Sequence, residues 1–420
     1  MRDLLPEEAR RRRALARILL DQFALHGYDL VMPPAFELAE VLEKGLGTLD
    51  PGDVLRFVEP ESGEVAALRP DMTPQIARMV ATRLCDEPRP IRLCYEGTVL
   101  RRRQGRARRH RQIPQAGVEL YGAPSPAGDG EVLRLIAAVV RAAGLSDFVI
   151  DLGHARIARA LVEDLPEVIA DEVTLALIQK DVSRVEAVLR GQKAVNVPSD
   201  LARALCALSD LSGGGADRPG SEVIAQGRRL FAGTKAAGPL EELAGLFEAA
   251  RRGDDLGDVL RLDLGEVRGF AYYTGPIFHV LAPGPGEPIG AGGRYDDLLG
   301  RFGAPMPAVG FGLHLDALAW AREAAGVGDE RVARVLVAAD PPGEALVAAL
   351  RARGVTAVLH AEDDDPRRYA AAFRFTHLVE KGAAGPALSG VEGNAFEPIG
   401  LPDAADSTAL ADAIVSLSRS

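Results

Sequence analysis

Apolar and polar residues in the first part of this chain recur with two periods, one typical of helices and one of strands. Residues 6–27 place apolar side chains at helical spacing, with Pro6 suited to the first turn and Gly27 to the stop. They predict an amphipathic helix. Residues 28–37 predict a short strand, and two β-rich runs within 54–73 predict a hairpin. The chain therefore opens with mixed helix and strand structure.

Two strand-like runs then flank a stretch rich in arginine. They read "RPIRLCYEGTVLRRR" at 89–103 and "RQIPQAGVELYG" at 111–122. A strand, a loop and a second strand in direct succession predict an antiparallel pair. Residues 128–143 predict a helix, and "FVIDLG" at 148–153 predicts the next strand.

The pattern changes at 154–255, which is rich in Ala, Leu and Arg at helical spacing and predicts a helical insertion. Strand patterns return at 259–284, and the last residues begin with a strand, a helix and a strand. The sequence thus predicts an α+β fold in which helices flank an antiparallel sheet. The predicted domains are 1–322, which contains the insertion, and 331–420, a small α/β domain with some parallel pairing.

Composition excludes several classes of protein. Hydrophobic residues make up 47% of the chain and charged residues 26%, and no apolar run approaches the ~18 residues that span a bilayer. The N-terminus lacks the apolar core of a secretory signal, so we expect a cytoplasmic location. Three cysteines without a Cys-x-x-Cys pair and seven scattered histidines predict neither a disulfide framework nor a metal site. A P-loop is also missing from the sequence, and no cofactor is expected.

The net charge of −11 argues against a protein that coats nucleic acid by bulk electrostatics. Seven arginines nevertheless fall within 101–111. Such a cluster attracts polyanions such as RNA, phosphoribosyl groups or an acidic partner, but a solvated charged loop explains it equally well.

Several residues have chemistry suited to a small polar ligand. Asp71 and Thr73 stand at a predicted strand-to-helix junction, where a carboxylate can hold an ammonium group; helix capping is the alternative. Arg101 ends a predicted strand and can bind a carboxylate or phosphate bidentately. Gln115 and Glu119 share one strand face and can accept from an amine or an imidazole N–H, or pair with an arginine across the sheet.

Two later stretches add to this set. Arg268 precedes Tyr272 and Tyr273, whose hydroxyls can bond a planar ring while the ring bodies cover it; the alternative is two core tyrosines. Glycines around Arg294 suggest a surface for a flat ligand, although such turns are common.

Taken in order, these stretches resemble the histidyl-tRNA synthetase family of class II aminoacyl-tRNA synthetases over residues 1–322. "LRPDMT" is similar to the family's LRPEGT, and the two strands around the basic loop are similar to motif 2. "RGFAYYT" is similar to RGLDYYT. "GGRYDDLLGRFG" with "PAVGFGLHLDAL" resembles the family's GGRYDGL and its motif 3 helix. The resemblance implies a class II synthetase-like sheet.

The departures from that family fall where it binds ATP. Arg103 stands where motif 2 has the glutamate that holds adenine, and Asp316-Ala317 replaces the Glu-Arg pair whose arginine clamps the γ-phosphate. Losing that arginine removes a charge-assisted interaction of ~1.5–3 kcal/mol. Phe270-Ala271 replaces Leu-Asp, and Asp71 replaces a glutamate.

The histidine contacts of the family are retained. The resemblance carries them onto Asp71, Thr73, Arg101, Gln115, Glu119, Arg268, Tyr272 and Tyr273. A histidine site without an ATP site resembles the synthetase paralogues that serve as regulatory subunits of ATP phosphoribosyltransferase. These imply a short catalytic subunit as partner, feedback inhibition by L-histidine, and a homodimer formed through the N-terminal helix and strand. They imply no catalytic residue and no nucleic-acid partner.

Two other functions stay open on the sequence. A working histidyl-tRNA synthetase would need another cation in place of the motif 3 arginine, and the loop arginines can offer one. A different retired synthetase, acting as an amino-acid sensor or RNA-binding module, is the third. The acidic run at 362–365 modestly favours a protein-docking or vestigial tail over an RNA-binding one.

Overall fold

The structure is a computed structural model that divides into two compact units, residues 1–328 and 329–420. It describes residues 3–46, 54–101, 112–191, 197–215, 217–252, 255–267, 272–328, 332–339, 343–360, 364–382, 385–400 and 406–417. In these residues we find no helix long and apolar enough to cross a membrane. The arginines predicted at 102–111 and Arg268 lie outside the described residues.

The first unit contains twelve described strands and eleven described α-helices. The strands are β1 (Asp29–Leu30), β2 (Phe36–Leu38), β3 (Arg56–Val58), β4 (Val65–Leu68), β5 (Ile91–Leu100), β6 (Gln112–Tyr121), β7 (Val149–His154), β8 (Ser212–Gly213), β9 (Leu260–Asp263), β10 (Pro276–Leu281), β11 (Gly290–Arg294) and β12 (Ala308–His314). The helices are α1 (Pro6–Leu25), α2 (Ala39–Leu46), α3 (Thr73–Met79), α4 (Ala127–Ala142), α5 (Ala155–Val162), α6 (Glu167–Ile178), α7 (Val182–Gly191), α8 (Ser199–Ala207), α9 (Gly220–Leu230), α10 (Ala237–Ala250) and α11 (Leu315–Ala324). A π-helical turn, Val80–Leu84, extends α3.

Nine of these strands form one sheet in the order β1-β5-β6-β12-β11-β10-β7-β9-β8. The run from β5 to β7 is antiparallel throughout, whereas β1 pairs with β5 and β7 pairs with β9 in parallel. The predicted antiparallel pair on either side of the basic loop is confirmed as β5 and β6. The predicted hairpin is confirmed as β3 and β4, which join β2 in a separate three-stranded sheet.

Helices cover one face of the large sheet because alternate strand residues there are apolar. Val118 and Leu120 of β6 are fully buried and pack in the same core as Leu19 and Phe23 of α1 and Ile136 of α4. The opposite face has a smaller core of its own. It is this second face that carries the polar residues picked out from the sequence.

The second unit is a five-stranded sheet with three described helices. Its elements are β13 (Arg334–Ala338), α12 (Gly343–Ala352), β14 (Thr356–Leu359), α13 (Pro366–Ala372), β15 (His377–Gly382), β16 (Gly385–Glu392), β17 (Ala395–Ile399) and α14 (Ser407–Leu417). The sheet order is β14-β13-β15-β16-β17, and β13 pairs in parallel with both of its neighbours. The predicted strand-helix-strand start with parallel pairing is confirmed.

Candidate functional site

The second face of the large sheet buries polar side chains from three separate parts of the chain. Each of these residues is only 1–8% exposed, although each side chain carries a polar group. They are Asp71, Thr73, Gln115, Glu119, Tyr272 and Tyr273. Burial of polar groups is costly unless they are paired, so each of these side chains needs a partner within the protein or from a ligand.

β6 positions the two acceptors predicted on it. Gln115 and Glu119 are separated by an even number of residues and therefore point to the same face. Glu119 lies opposite Gly310 of β12, and a methyl group added at that glycine would overlap the Glu119 Oε2 atom. The absence of a side chain at Gly310 therefore provides the space that the Glu119 carboxylate occupies.

Hydroxyl groups hold the Glu119 carboxylate. Thr73 Oγ1 donates to Glu119 Oε1 at 2.6 Å, and the Tyr295 hydroxyl donates to Glu119 Oε2. These contacts replace the cross-strand arginine pair that the sequence left open as an alternative. The carboxylate is therefore held in place by neutral donors.

Asp71 is held in the same way. The Tyr272 hydroxyl donates to Asp71 Oδ2 at 2.8 Å, and the Tyr272 ring lies 5.7 Å from that of Tyr295 in an edge-to-face arrangement. Tyr273 packs against Tyr272 at 4.7 Å between ring centroids. The two tyrosines therefore serve both as core residues and, through Tyr272, as a hydrogen-bond donor in the site.

Helix capping does not account for Asp71 or Thr73. Thr73 is the first residue of α3, and no side chain caps the N-terminus of that helix. The Thr73 hydroxyl is directed to Glu119 and the Asp71 carboxylate accepts from Tyr272. Both residues face the site, as the ligand hypothesis requires.

Arg101 directly follows β5, next to this group. Its Nε donates to the Pro70 carbonyl at 2.7 Å, which fixes the arginine beside the segment that carries Asp71. The structure therefore brings together seven of the eight residues predicted for the site: Asp71, Thr73, Arg101, Gln115, Glu119, Tyr272 and Tyr273. The eighth, Arg268, lies outside the described residues.

Burial makes the site unfavourable for its own negative charge. It raises the pKa of Glu119 to about 8, the nearby Asp71 adds to the rise, and the Thr73 and Tyr295 hydroxyls oppose it. A ligand that brings a positive charge or N–H donors would favour the ionised carboxylate. The site is thus suited to a small cationic or zwitterionic molecule.

Two glycines in and after the glycine-rich stretch face the protein's own side chains. Gly292 faces the apolar side chains Phe278 and Phe311, and Gly312 lies under the Tyr95 hydroxyl, 2.9 Å from where a methyl group would stand. These glycines accommodate the protein's own side chains. Gly292 is therefore not open to a flat ligand, and glycine content alone does not say which atoms approach the backbone.

Arg294, at the centre of that stretch, has a structural role. It is 3% exposed, and its Nε donates to Asp129 Oδ1 of α4 at 2.9 Å. Its Nη1 donates to Asp296 Oδ1, also at 2.9 Å. The arginine therefore ties β11 to α4 and is not available to a ligand.

Two tyrosines of the site were missed in the sequence. Tyr295 donates to Glu119, and Tyr95 of β5 lies over Gly117 and Gly312. The pKa of the Tyr95 hydroxyl is raised well above its usual value by burial and then by Glu119 and Asp71. Tyr295 follows Arg294 in the glycine-rich stretch, which the sequence did single out. The carboxylate that it contacts lies 176 residues away, so the contact could not be predicted.

The residues at the start of α11 differ from a phosphate site. Asp316 pairs with Arg12 of α1 at 2.6 Å between Oδ1 and Nη2. Ala317 is 6% exposed and packs in the large apolar core. An alanine offers no charge to a phosphate, and the acid beside it binds a neighbouring helix.

The amino-acid sequence of this chain is similar to a family model and to several named relatives. The family model described as histidyl-tRNA synthetase matches residues 1–318. A protein of Anaeromyxobacter sp. (strain K) named ATP phosphoribosyltransferase regulatory subunit is 44% identical over 320 residues, 75% of this chain and 88% of its own. A protein of the same name from Geobacter sulfurreducens is 34% identical over 390 residues, 90% of this chain and 87% of its own.

Solved structures agree on the fold. One titled ATP phosphoribosyltransferase regulatory subunit/histidyl-tRNA synthetase, from Bacillus halodurans, has a TM-score of 0.75 at 29% identity, covering 90% of this chain and 96% of its own. Histidyl-tRNA synthetase from Nostoc has the same TM-score, 0.75, at 20% identity, covering 95% of each chain. The class II synthetase-like fold expected from the sequence is confirmed.

Proposed function

Because this chain belongs to the histidyl-tRNA synthetase family and, within it, to the ATP phosphoribosyltransferase regulatory subunits, we propose that it binds L-histidine and regulates a short catalytic subunit. That subunit joins ATP to phosphoribosyl pyrophosphate in the first step of histidine biosynthesis. The proposed roles are activation of the subunit and its feedback inhibition by histidine.

One observation carries the proposal. Asp71, Thr73, Glu119 and Tyr272 are hydrogen-bonded into one buried site, whereas the position of the nucleotide clamp is occupied by Ala317. A site that keeps its amino-acid contacts but lacks the triphosphate arginine supports binding without activation. We therefore propose that the chain has no aminoacylation activity of its own.

We propose one partner in the site for each part of histidine. The ligand's ammonium group is placed at Asp71, and its imidazole N–H at Glu119, because carboxylates accept strongly from both. The carboxylate is placed at Arg101, with Arg268 as its second contact. Gln115 and Thr73 supply further polar contacts, and Tyr273 packs beside the ring of Tyr272.

Feedback inhibition requires that histidine prefer one state of the complex. A ligand shifts an equilibrium only by its difference in affinity between the two states. Histidine bound here would thus have to bind more tightly to the inhibited complex. ATP and its magnesium would belong to the catalytic subunit, not to this chain.

The decisive experiment compares binding with activation of the amino acid. L-histidine is titrated into the purified chain by calorimetry, and ATP–pyrophosphate exchange driven by histidine is measured on the same preparation. We expect binding without exchange, and histidine inhibition of the reconstituted complex with the catalytic subunit. Robust exchange would establish a working synthetase, and absence of histidine binding would favour an unrelated sensor or RNA-binding role.

Histidine binding should strengthen as the pH rises from about 6.5 to 8, because the empty site holds Glu119 with a pKa of about 8. An imidazole N–H favours the ionised carboxylate, so binding in this range releases a proton. Calorimetry in two buffers with different ionisation enthalpies measures that proton directly. An affinity that is flat or falls across this range contradicts the assignment.

The same pKa determines how the folding stability of the ligand-free protein changes with pH. The folded state holds the Glu119 proton more tightly than the unfolded state, in which the carboxyl has its ordinary pKa of 4.5. The stability from this group is present below that value and is lost as the pH rises through about 8. Added histidine should therefore raise the thermal midpoint more at pH 8 than at pH 6.

We also propose a homodimer, supported by exposed apolar side chains on the edge strand β1, in the loop after it and on the three-stranded sheet. The dimer surface comprises Leu30, Met32, Phe36, Val58 and Val65, which are 44–78% exposed. An apolar patch is complementary to its own copy across a two-fold axis.

Met32→Asp should convert the dimer to monomers, since Met32 is 78% exposed in this surface and a charge buried between two copies is unfavourable. Sedimentation velocity measures the change. Leu175→Asp, at a 44% exposed position of α6, is the matched control and should leave the assembly unchanged. Equal sedimentation of the Met32 variant and the unmodified chain would reject this surface.

A further inference from the structure

Arg69 lies outside the proposed ligand contacts but within the framework that holds them. Its residue is only 8% exposed. The Nε atom donates to the Thr98 carbonyl at 2.8 Å, and Nη1 donates to the carbonyls of Pro33 at 2.9 Å and Pro34 at 3.1 Å. One side chain thus connects the end of β5 with the loop between β1 and β2.

The main chain of Arg69 repeats both connections. Its N–H donates to the Ala35 carbonyl at 3.3 Å, and its carbonyl accepts from the Leu100 N–H at 2.9 Å. Arg101 then holds the next carbonyl, that of Pro70, at 2.7 Å. Side chain and backbone together therefore fix residues 69 and 70 between two other segments.

The residues that follow Arg69 are those of the site. Asp71 is two residues further on, and Thr73, which donates to Glu119, is four residues further on. Gln75 closes the other end of this segment, since its Nε2 donates to the same Pro34 carbonyl at 3.0 Å. The segment 69–75 is thus attached at both ends to the loop that precedes β2.

Space for the guanidinium is provided by Gly97. A methyl group added there would stand 2.8 Å from Arg69 Nη2, so a larger residue would displace the arginine. A planar guanidinium with five N–H groups can reach three carbonyls in one plane, which a lysine ammonium cannot reproduce with the same geometry.

We propose that Arg69 is a positioning residue for the ligand site: by holding the carbonyls of Pro33, Pro34 and Thr98, it places Asp71 and Thr73 opposite Glu119. This inference rests on the proposed binding of L-histidine. The same bonds connect the site to the loop between β1 and β2.

Calorimetry with L-histidine on the full chain tests this role. Arg69→Met should raise the dissociation constant for L-histidine by about tenfold or more. Arg69→Lys keeps the charge and some donors, so its dissociation constant should lie between those of Arg69→Met and the unmodified chain. The matched control is Arg92→Met. Arg92 pairs with Glu131 at 2.8 Å on the same strand as Thr98 but does not touch segment 69–75. We expect that control to change histidine affinity by less than about twofold.

Thermal midpoints of all variants separate stability from positioning. The role is overturned if Arg69→Met binds histidine like the unmodified chain, or if Arg92→Met loses as much affinity for a similar loss of stability. Should Arg69→Met fail to fold, Arg69→Lys carries the comparison, and an unchanged affinity there overturns the role.

A failure of the unmodified chain to bind histidine would instead reject the proposed function. Hydrogen–deuterium exchange then decides the positioning role without a ligand. Faster exchange in residues 69–75 of the Arg69 variant alone supports it, and exchange equal to that of the Arg92 control overturns it.

Discussion

Glu119→Gln is expected to weaken L-histidine binding by at least about thirtyfold, because removing one partner of a buried, hydrogen-bonded charged contact costs about 2–5 kcal/mol. Glutamine keeps the shape of the side chain but cannot carry the negative charge that the imidazole N–H would meet. Titration calorimetry at pH 8 gives the dissociation constant. The pH dependence of binding described above should vanish in the same variant.

The fold of this variant should be intact, since burial already favours the neutral form of Glu119 in the empty site. Glu131→Gln is the matched control, because Glu131 accepts from Arg92 and Tyr28 away from the site. It should leave histidine affinity unchanged. If histidine still inhibits the complex with the catalytic subunit in both Glu119→Gln and Arg268→Ala, the site has been placed wrongly.

Arg294→Met should lower the free energy of unfolding by about 3–5 kcal/mol, the usual cost of leaving a buried charge without its partner. Asp129 is 2% exposed and would lose the guanidinium that contacts both of its oxygens. Urea denaturation followed by circular dichroism measures the difference. Because Arg294 is outside the site, histidine affinity of the folded fraction should not change.

The double variant Asp129→Leu with Arg294→Met tests the cause. Removing both charges leaves no buried carboxylate unpaired, so the double variant should be more stable than Arg294→Met alone. Asp296 also loses its contact with Arg294 in both variants. It still accepts a hydrogen bond from the Ala308 N–H at 2.9 Å and is partly exposed, so losing the arginine should cost it little. A double variant less stable than the single one would show that the arginine acts through packing and not through its charge.

Local patterns in the sequence were sufficient to predict the helix and strands named below and the two site residues on β6. The helix predicted from residue 6 begins at Pro6, and β5 and β6 pair as their alternation indicated. Even spacing on β6 correctly put Gln115 and Glu119 on one side. These results depend on chain-local rules, period and turn chemistry, which a single sequence displays directly.

The partners of those residues could not be read in the same way. The choice between capping and ligand roles for Thr73 rested on Glu119, which is 46 residues away, and the structural role of Arg294 rested on Asp129, at a separation of 165. The two extra tyrosines and Arg69 were missed for the same reason. Contacts between distant segments are set by the packing of the whole sheet, which no local pattern encodes.

The burial of Ala317 limits which side chains its position can accept. Its side chain is packed among the residues of the large core, so an arginine introduced there would enter apolar surroundings and destabilise the fold. The packing around α11 therefore selects for a small apolar residue at this position, independently of any ligand.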